Sequence, residues 1–200
     1  MLPDYADVLK CPFCGGEKEV LALMSGNTCG GQSWSDVKTD YPMLPRVSPI
    51  QKCPICGKYY FTKEADRRKS ENYVFEKGDL TYEQLKEAAI QFGDVLSEPD
   101  KIILNVLLLW AYNDNYNRED VGLTVAPEDE KKYVRAVLDE LIASEGTDEI
   151  VRAEYLRESG RFEEALALLD MCCPEEDYLR GIVERMKTYA KEKNTIAFKI

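Results

Sequence analysis

Cys11-Pro-Phe-Cys14-Gly15 and Cys53-Pro-Ile-Cys56-Gly57 are two copies of one pattern, C-P-x-C-G, and the rest of the chain is read outward from them. Two residues between cysteines let both thiolates reach a single ion from one tight turn. Proline presets that turn, and glycine after the second cysteine tolerates the positive φ that it demands. Two such turns facing one another supply four sulfurs, which suits a tetrahedral ion at about 2.3 Å per bond. One C-x-x-C alone is compatible with a redox pair, but a redox motif calls for no duplicate with the same flanking residues. Cys11, Cys14, Cys53 and Cys56 are therefore expected to form a structural Zn(Cys)4 site. Four thiolates leave no open position for water, so the ion is expected to hold a fold rather than activate a nucleophile.

Iron is the rival metal, because rubredoxins use similar paired turns and ligand chemistry alone does not separate the two. Zinc leads, since nothing in the remaining chain implies electron transfer. Cys14 and Cys53 enclose 38 residues, more than the roughly 15–20 of compact paired C-x2-C sites. Within that insert, Val20 to Met24 reads as a strand, matched after the second turn by Tyr59-Tyr60-Phe61. A glycine-rich stretch through Cys29-Gly30-Gly31 and Trp34-Ser35-Asp36 follows, then the proline-punctuated run Tyr41 to Pro49. Trp34, Met43 and Leu44 read either as cover for a small ribbon core or as a partner-binding surface, with cover preferred. Cys29 is expected to be a partly buried thiol, not a fifth ligand. Cys172 and Cys173 read as helix-packing cysteines, with a vicinal disulfide as the alternative.

The 200 residues carry 26 basic and 37 acidic side chains, a net charge of −11, and no histidine. The missing imidazole removes Ser-His-Asp and Cys-His nucleophiles and the H-E-x-x-H hydrolases. Residues 1–68 hold 9 basic and 8 acidic groups, and residues 69–200 hold 17 and 29. Four thiolates on a dication would turn the slight positive charge of the first part negative. A nucleic-acid backbone or an anionic membrane is therefore not expected as partner. The longest apolar stretch, Ile102 to Tyr112 with Asn105 inside it, falls well short of the roughly 20 residues of a membrane span. An odd cysteine count and the lack of a basic-then-apolar leader point to a reducing, cytoplasmic setting.

Helix signals begin after residue 80. Thr81-x-x-Gln84 is a capping box with Leu80 and Leu85 as its hydrophobic staple, and Gly93 is the expected stop. Ser97 is expected to cap a second helix that carries the apolar run and forms the central buried element. A third begins at Pro127 and ends at Gly146, Thr147 opens a fourth that closes at Gly160, and a fifth runs from Arg161 to about Met171. Pro174 starts a sixth, with Leu179, Ile182, Val183, Met186 and Ala190 facing inward. The segment Ile196 to Ile200 either docks as a short strand or frays. The expectation is an α+β chain: a small zinc ribbon of short antiparallel strands over 1–68, then an acidic all-α domain of antiparallel hairpins over 69–200.

Ala153 to Asp170, with Gly160 at the turn, Phe162 across it and small Ala153 and Ala165, resembles the core of a tetratricopeptide repeat, a hairpin near 148–171. The expected 34-residue period does not recur, and about three repeats are needed for a superhelical groove. The chain as a whole resembles an uncharacterised bacterial family that joins a C-P-x-C-G ribbon, with a W-S-D segment and a proline-rich stretch before the second cysteine pair, to an acidic tetratricopeptide-like tail. That resemblance implies architecture and no activity. The expected function is a non-enzymatic, zinc-binding interaction or adaptor protein whose acidic helices meet a protein partner, with a basic segment as the sharper form. The alternatives are a thiol- or metal-responsive sensor using Cys29, Cys172 or Cys173, and a carboxylate-dependent enzyme. No phosphate loop or nucleophile elbow supports the enzyme, and helix capping accounts for the acidic clusters.

Overall fold

Short strands fill the first third of the chain and six helices follow in the computed structural model, which describes residues 1–76, 78–121 and 125–200. The strands are β1 (Leu2–Pro3), β2 (Asp7–Lys10), β3 (Glu17–Val20), β4 (Leu23–Ser25), β5 (Gln32–Ser33), β6 (Thr39–Asp40), β7 (Ile50–Lys52), β8 (Tyr59–Phe61) and β9 (Asp66–Lys69). The helices are α1 (Tyr82–Phe92), α2 (Glu98–Tyr112), α3 (Glu128–Ala143), α4 (Glu149–Glu158), α5 (Phe162–Met171) and α6 (Asp177–Lys191). They form two compact units, Met1–Gly31 with Asp40–Leu96, and Gln32–Thr39 with Ser97–Ile200.

In the first unit β2 lies between β3 and β9, antiparallel to both, and β7 pairs antiparallel with β8. The expected strand Val20 to Met24 is broken at Leu21-Ala22. The chain changes partner there, since β3 pairs with β2 while β4 pairs with β1. Tyr59, Tyr60 and Phe61 are all buried. Helix α1 opens on the capping box read from the sequence: the Gln84 N–H donates to Thr81 Oγ1, and the Thr81 N–H donates to Gln84 Oε1. Its far end meets β8. The Gln91 amide accepts from the Tyr59 N–H and donates to the Tyr59 carbonyl, both at 2.8 Å, as a neighbouring strand would. Glu87 accepts from the Tyr59 hydroxyl at 2.5 Å and from Lys52 at 3.0 Å, and Phe92 packs 5.3 Å from Phe61. Helix α1 thus completes the β-rich unit, and the division falls at residue 96 rather than at 68.

In the second unit α4, α5 and α6 share a core of Ala153, Leu169, Val183, Met186 and Phe198. Gly160, at φ 85°, closes α4 with both hydrogen bonds of a Schellman motif, Gly160 N–H to the Arg157 carbonyl and Arg161 N–H to the Leu156 carbonyl. Two caps differ from expectation. Asp148, not Thr147, caps α4, accepting from the N–H groups of Ile150 and Val151. The Ser97 hydroxyl donates to Asp100 Oδ2 at 2.6 Å and makes no cap bond to the backbone.

Helix α4 is buried on every side from Ala153 to Glu158, which brings charge inside. Arg157, fully buried, donates to both oxygens of Glu154 and to the carbonyls of Asn194 and Ile196. The tail docks beside it: Ala197 and Phe198 are buried, and the Ala197 N–H donates to the Asn117 carbonyl at 2.8 Å.

Residues 32–39 form a strap that belongs to this helical unit. Ser35 N–H donates to the Phe198 carbonyl, and Phe198 N–H returns a bond to Ser35 Oγ. Asp36, fully buried, takes Arg118 on both carboxylate oxygens at 3.3 and 3.0 Å and Asn113 at 2.9 Å, while Trp110 Nε1 donates to its carbonyl. The Arg118 guanidinium lies 4.5 Å from the Trp34 ring centre. Trp34 is therefore buried, as expected, but in the helical unit and not over the ribbon core, and Met43 is exposed.

Candidate metal centre

Each cysteine pair closes on itself by the same backbone rule. The first cysteine donates its N–H to the carbonyl five residues on, Cys11 to Gly16 at 2.8 Å and Cys53 to Lys58 at 2.9 Å. The glycine four residues on donates back, Gly15 to the Cys11 carbonyl and Gly57 to the Cys53 carbonyl. Gly15 and Gly57 sit at φ 72° and 73°, left-handed values that a side chain would strain, so the glycine in C-P-x-C-G is a backbone requirement. Strand β2 delivers Cys11 and strand β7 delivers Cys53.

The two turns face one another. Cys11 Sγ lies 3.8 Å from Cys56 Sγ, and Cys14 Sγ lies 3.6 Å from Cys53 Sγ. All four sulfurs fall within 4.8 Å of one another. A tetrahedron with bonds of about 2.3 Å has edges of about 3.8 Å, so this spacing fits one ion at the centre. The cluster can hold a metal, and the spacing fits zinc and iron alike.

Cys11 and Cys53 are buried, while Cys14 and Cys56 are exposed. Behind the inner pair lie Leu9, Val20 and Tyr60, with Val47 and Ala65 beside them. On the outer side Ile55 crosses to the other turn: a Cβ on Gly16 would come within 2.7 Å of the Ile55 side chain. Lys58 Nζ covers the Phe13 ring at 4.9 Å.

The thiols pull one another in opposite directions. Burial acts most strongly on Cys53 and opposes ionisation, yet the N–H groups of Cys56 and Ile55 and the neighbouring thiols bring it down to about 7. At Cys14 the Gly16 N–H favours the thiolate, but the three other cysteines and desolvation outweigh it and push it up to about 12. Four sulfurs in this volume do not all ionise without a cation among them. A dication removes that conflict, which is the electrostatic case for a resident metal.

The four ligand residues singled out by spacing are thus brought together, and the other three cysteines are not part of the cluster. Cys29 and Cys173 are exposed, contrary to the partly buried and helix-packing roles expected of them. Cys172 is half-buried with its thiol on the Leu168 carbonyl at 3.3 Å, and burial followed by Glu149 and Asp148 raises its pKa. No cysteine is in a disulfide among the described residues. What the motif did not reveal is Tyr60, whose hydroxyl is buried with no hydrogen-bond partner among the described residues. Burial, then the surrounding thiols, push it up to about 12. Its only sequence signal is its place one residue into the strand after the second turn.

No helix among the described residues is long and apolar enough to cross a membrane. Comparison with family models, curated proteins and solved structures finds no match to this chain.

Proposed function

We propose that Cys11, Cys14, Cys53 and Cys56 bind one structural zinc ion and that the chain works without catalysis, as a metal-stapled interaction protein. The observation that carries the metal reading is the pair of matched turns whose sulfurs already stand at tetrahedral spacing. Zinc suits it because four thiolates satisfy its coordination and its d10 shell needs no redox partner. Protein purified without added metal should contain one zinc per chain and be colourless. A red protein carrying iron would overturn zinc, and a metal-free chain of unchanged fold would overturn the site.

The interaction role rests on charge. Glu128-Asp129-Glu130, Glu163-Glu164 and Asp177 occupy the first turns of α3, α5 and α6, where they favour the helix dipoles. Glu164 is paired with Arg161 and Asp177 with Arg180, which leaves Glu163 the more available of its pair. A basic protein segment is the partner such a surface would attract, with association that weakens as salt screens charges beyond roughly 8 Å. Reversal of Glu163 and Glu164 to Lys should slow capture of that partner. Binding indifferent to salt and to the reversal would place recognition elsewhere.

A further inference from the structure

The buried charges of the helical unit do not balance. Asp36, Asp100, Glu154 and Glu158 are acids with little or no exposure, and Arg118 and Arg157 are the buried bases. Arg118 takes Asp36, and Arg157 takes Glu154. Glu158 is left with one hydrogen bond, from Asn113 Nδ2 to its Oε2 at 2.9 Å, and its Oε1 is buried with no partner among the described residues. Burial, reinforced by Glu154 and Asp36 and only partly offset by Arg157, raises its pKa well above the ordinary glutamate value. Its surroundings thus favour the protonated carboxyl over the carboxylate in the absence of a cation.

Glu158 also lines a cavity of about 230 Å³ between α2, α3 and α4. The volume lies between the ~150 Å³ that holds a benzene ring and the ~300 Å³ where drug-sized pockets begin. Part of its wall is apolar and aromatic, with Leu109, Val134, Leu138 and the tilted pair Tyr112 and Tyr116, and the rest is polar, with Lys131 among the lining residues. Residues 113–117 form a π-turn that continues α2 and brings Asn113, Tyr116 and Asn117 to the same space. Such turns interrupt helices at functional sites more often than elsewhere. Arg135, an exposed residue of α3, lines the cavity as well. Burial raises the Tyr112 phenol's pKa, and Arg135 and Glu158 act on that same group in opposite senses.

We propose that this cavity binds a small amino-acid-like zwitterion, its ammonium group on Glu158 and its carboxylate on Arg135. The ammonium supplies the cation that the buried acids lack, and the Glu158 proton passes to solvent as the ion pair forms. The carboxylate pairs with the Arg135 guanidinium, and the side chain fills the Tyr112 and Tyr116 wall.

Calorimetric titration of the full chain with the twenty standard amino acids, each to about 10 mM, reads this directly. At least one should bind saturably at pH 7, and heats in buffers of different ionisation enthalpy should show net proton release. The N-acetyl form of that amino acid, without the ammonium group, should not bind, and its methyl ester should bind at least about tenfold more weakly. Glu158→Gln, neutral and of the same shape, should abolish binding. Arg135→Ala should weaken the amino acid while leaving the ester unchanged. No saturable binding by any of the twenty overturns the proposal, as does binding that survives Glu158→Gln. An ester that binds as tightly as its acid overturns the Arg135 assignment. The acid, ester and N-acetyl comparison uses the native protein, so it decides the matter even if a variant fails to fold.

Discussion

The β-rich unit and the helical unit are both closed by residues far apart in sequence, but through different chemistry. In the first, two five-residue turns with the same local hydrogen bonds bring four sulfurs together, and each turn is complete in itself. In the second, the closing elements are a strap at 32–39, folded on itself by the pairing of β5 with β6, and a tail at 194–200 bound to it through Ser35 and Phe198. The strap turns tightly on Val37 at φ 60°, where a β-branched residue is strained, and Asp36 beside it is bound by Arg118, Asn113 and Trp110. A repeated local motif announces itself in sequence. A seam between single residues about 80 positions apart does not.

The contrast breaks most severely at the metal. Cys53→Ser, or removal of the ion by a chelator, should unfold the β-rich unit with α1 while α2 to α6 persist, because structural zinc contributes on the order of 10 kcal/mol to small folds. Helical circular dichroism should fall only by the share of α1, and near-ultraviolet signal from Tyr59 and Tyr60 should collapse. Loss of all helical signal would mean that the two units do not fold separately.

Next in size is the seam. Arg118→Ala leaves Asp36 buried and uncompensated and should cost the helical unit about 3–5 kcal/mol. Replacing both partners, as in Asp36→Leu with Arg118→Met, should recover most of that loss. Denaturant melts of the single and double variants check this. An additive double variant would show that the pair is not coupled.

Smaller effects sharpen the picture. Glu158 has a raised folded-state pKa, so its contribution is present in acid and is lost as pH rises from about 4.5 toward the folded value. Glu158→Gln should therefore stabilise the protein at pH 7, with a gain that shrinks as pH falls toward 4.5. Equal gains at both values would deny the shift. Val37→Asn should add about 1 kcal/mol by relieving the left-handed strain, since Asn tolerates that conformation. Thermal melting separates it from the parent.

The ligand residues were legible because Pro, Cys and Gly recur at fixed offsets and each has a backbone reason to be there. The helices were legible where caps are local, as at Thr81 and Gly160. The strand at Val20 to Met24 was misread because the change of partner at Leu21-Ala22 depends on β1, which carries no pattern of its own. Residues 69–96 looked like part of the helical domain because α1 has a good cap and an apolar face. Nothing local says that Gln91 will match the backbone of Tyr59. Trp34-Ser35-Asp36 lies in a glycine-rich stretch, and no local pattern singles out its partners Asn113, Arg118 and Phe198. Glu158 sits in a run of charged and apolar residues from which no single acid stands out.

The pairing of Ser35 with Phe198 also sets an order of assembly. Those residues are 163 positions apart, whereas Cys14 and Cys53 are separated by 39. At synthesis rates of about 5–20 residues per second, the second cysteine turn follows the first by roughly 2–8 s, and Phe198 follows Ser35 by roughly 8–33 s. The sulfur cluster thus gathers early in translation, while the strap waits with Trp34 and Asp36 in solvent. Over that interval the nascent chain displays an aromatic and an acid that the finished protein hides.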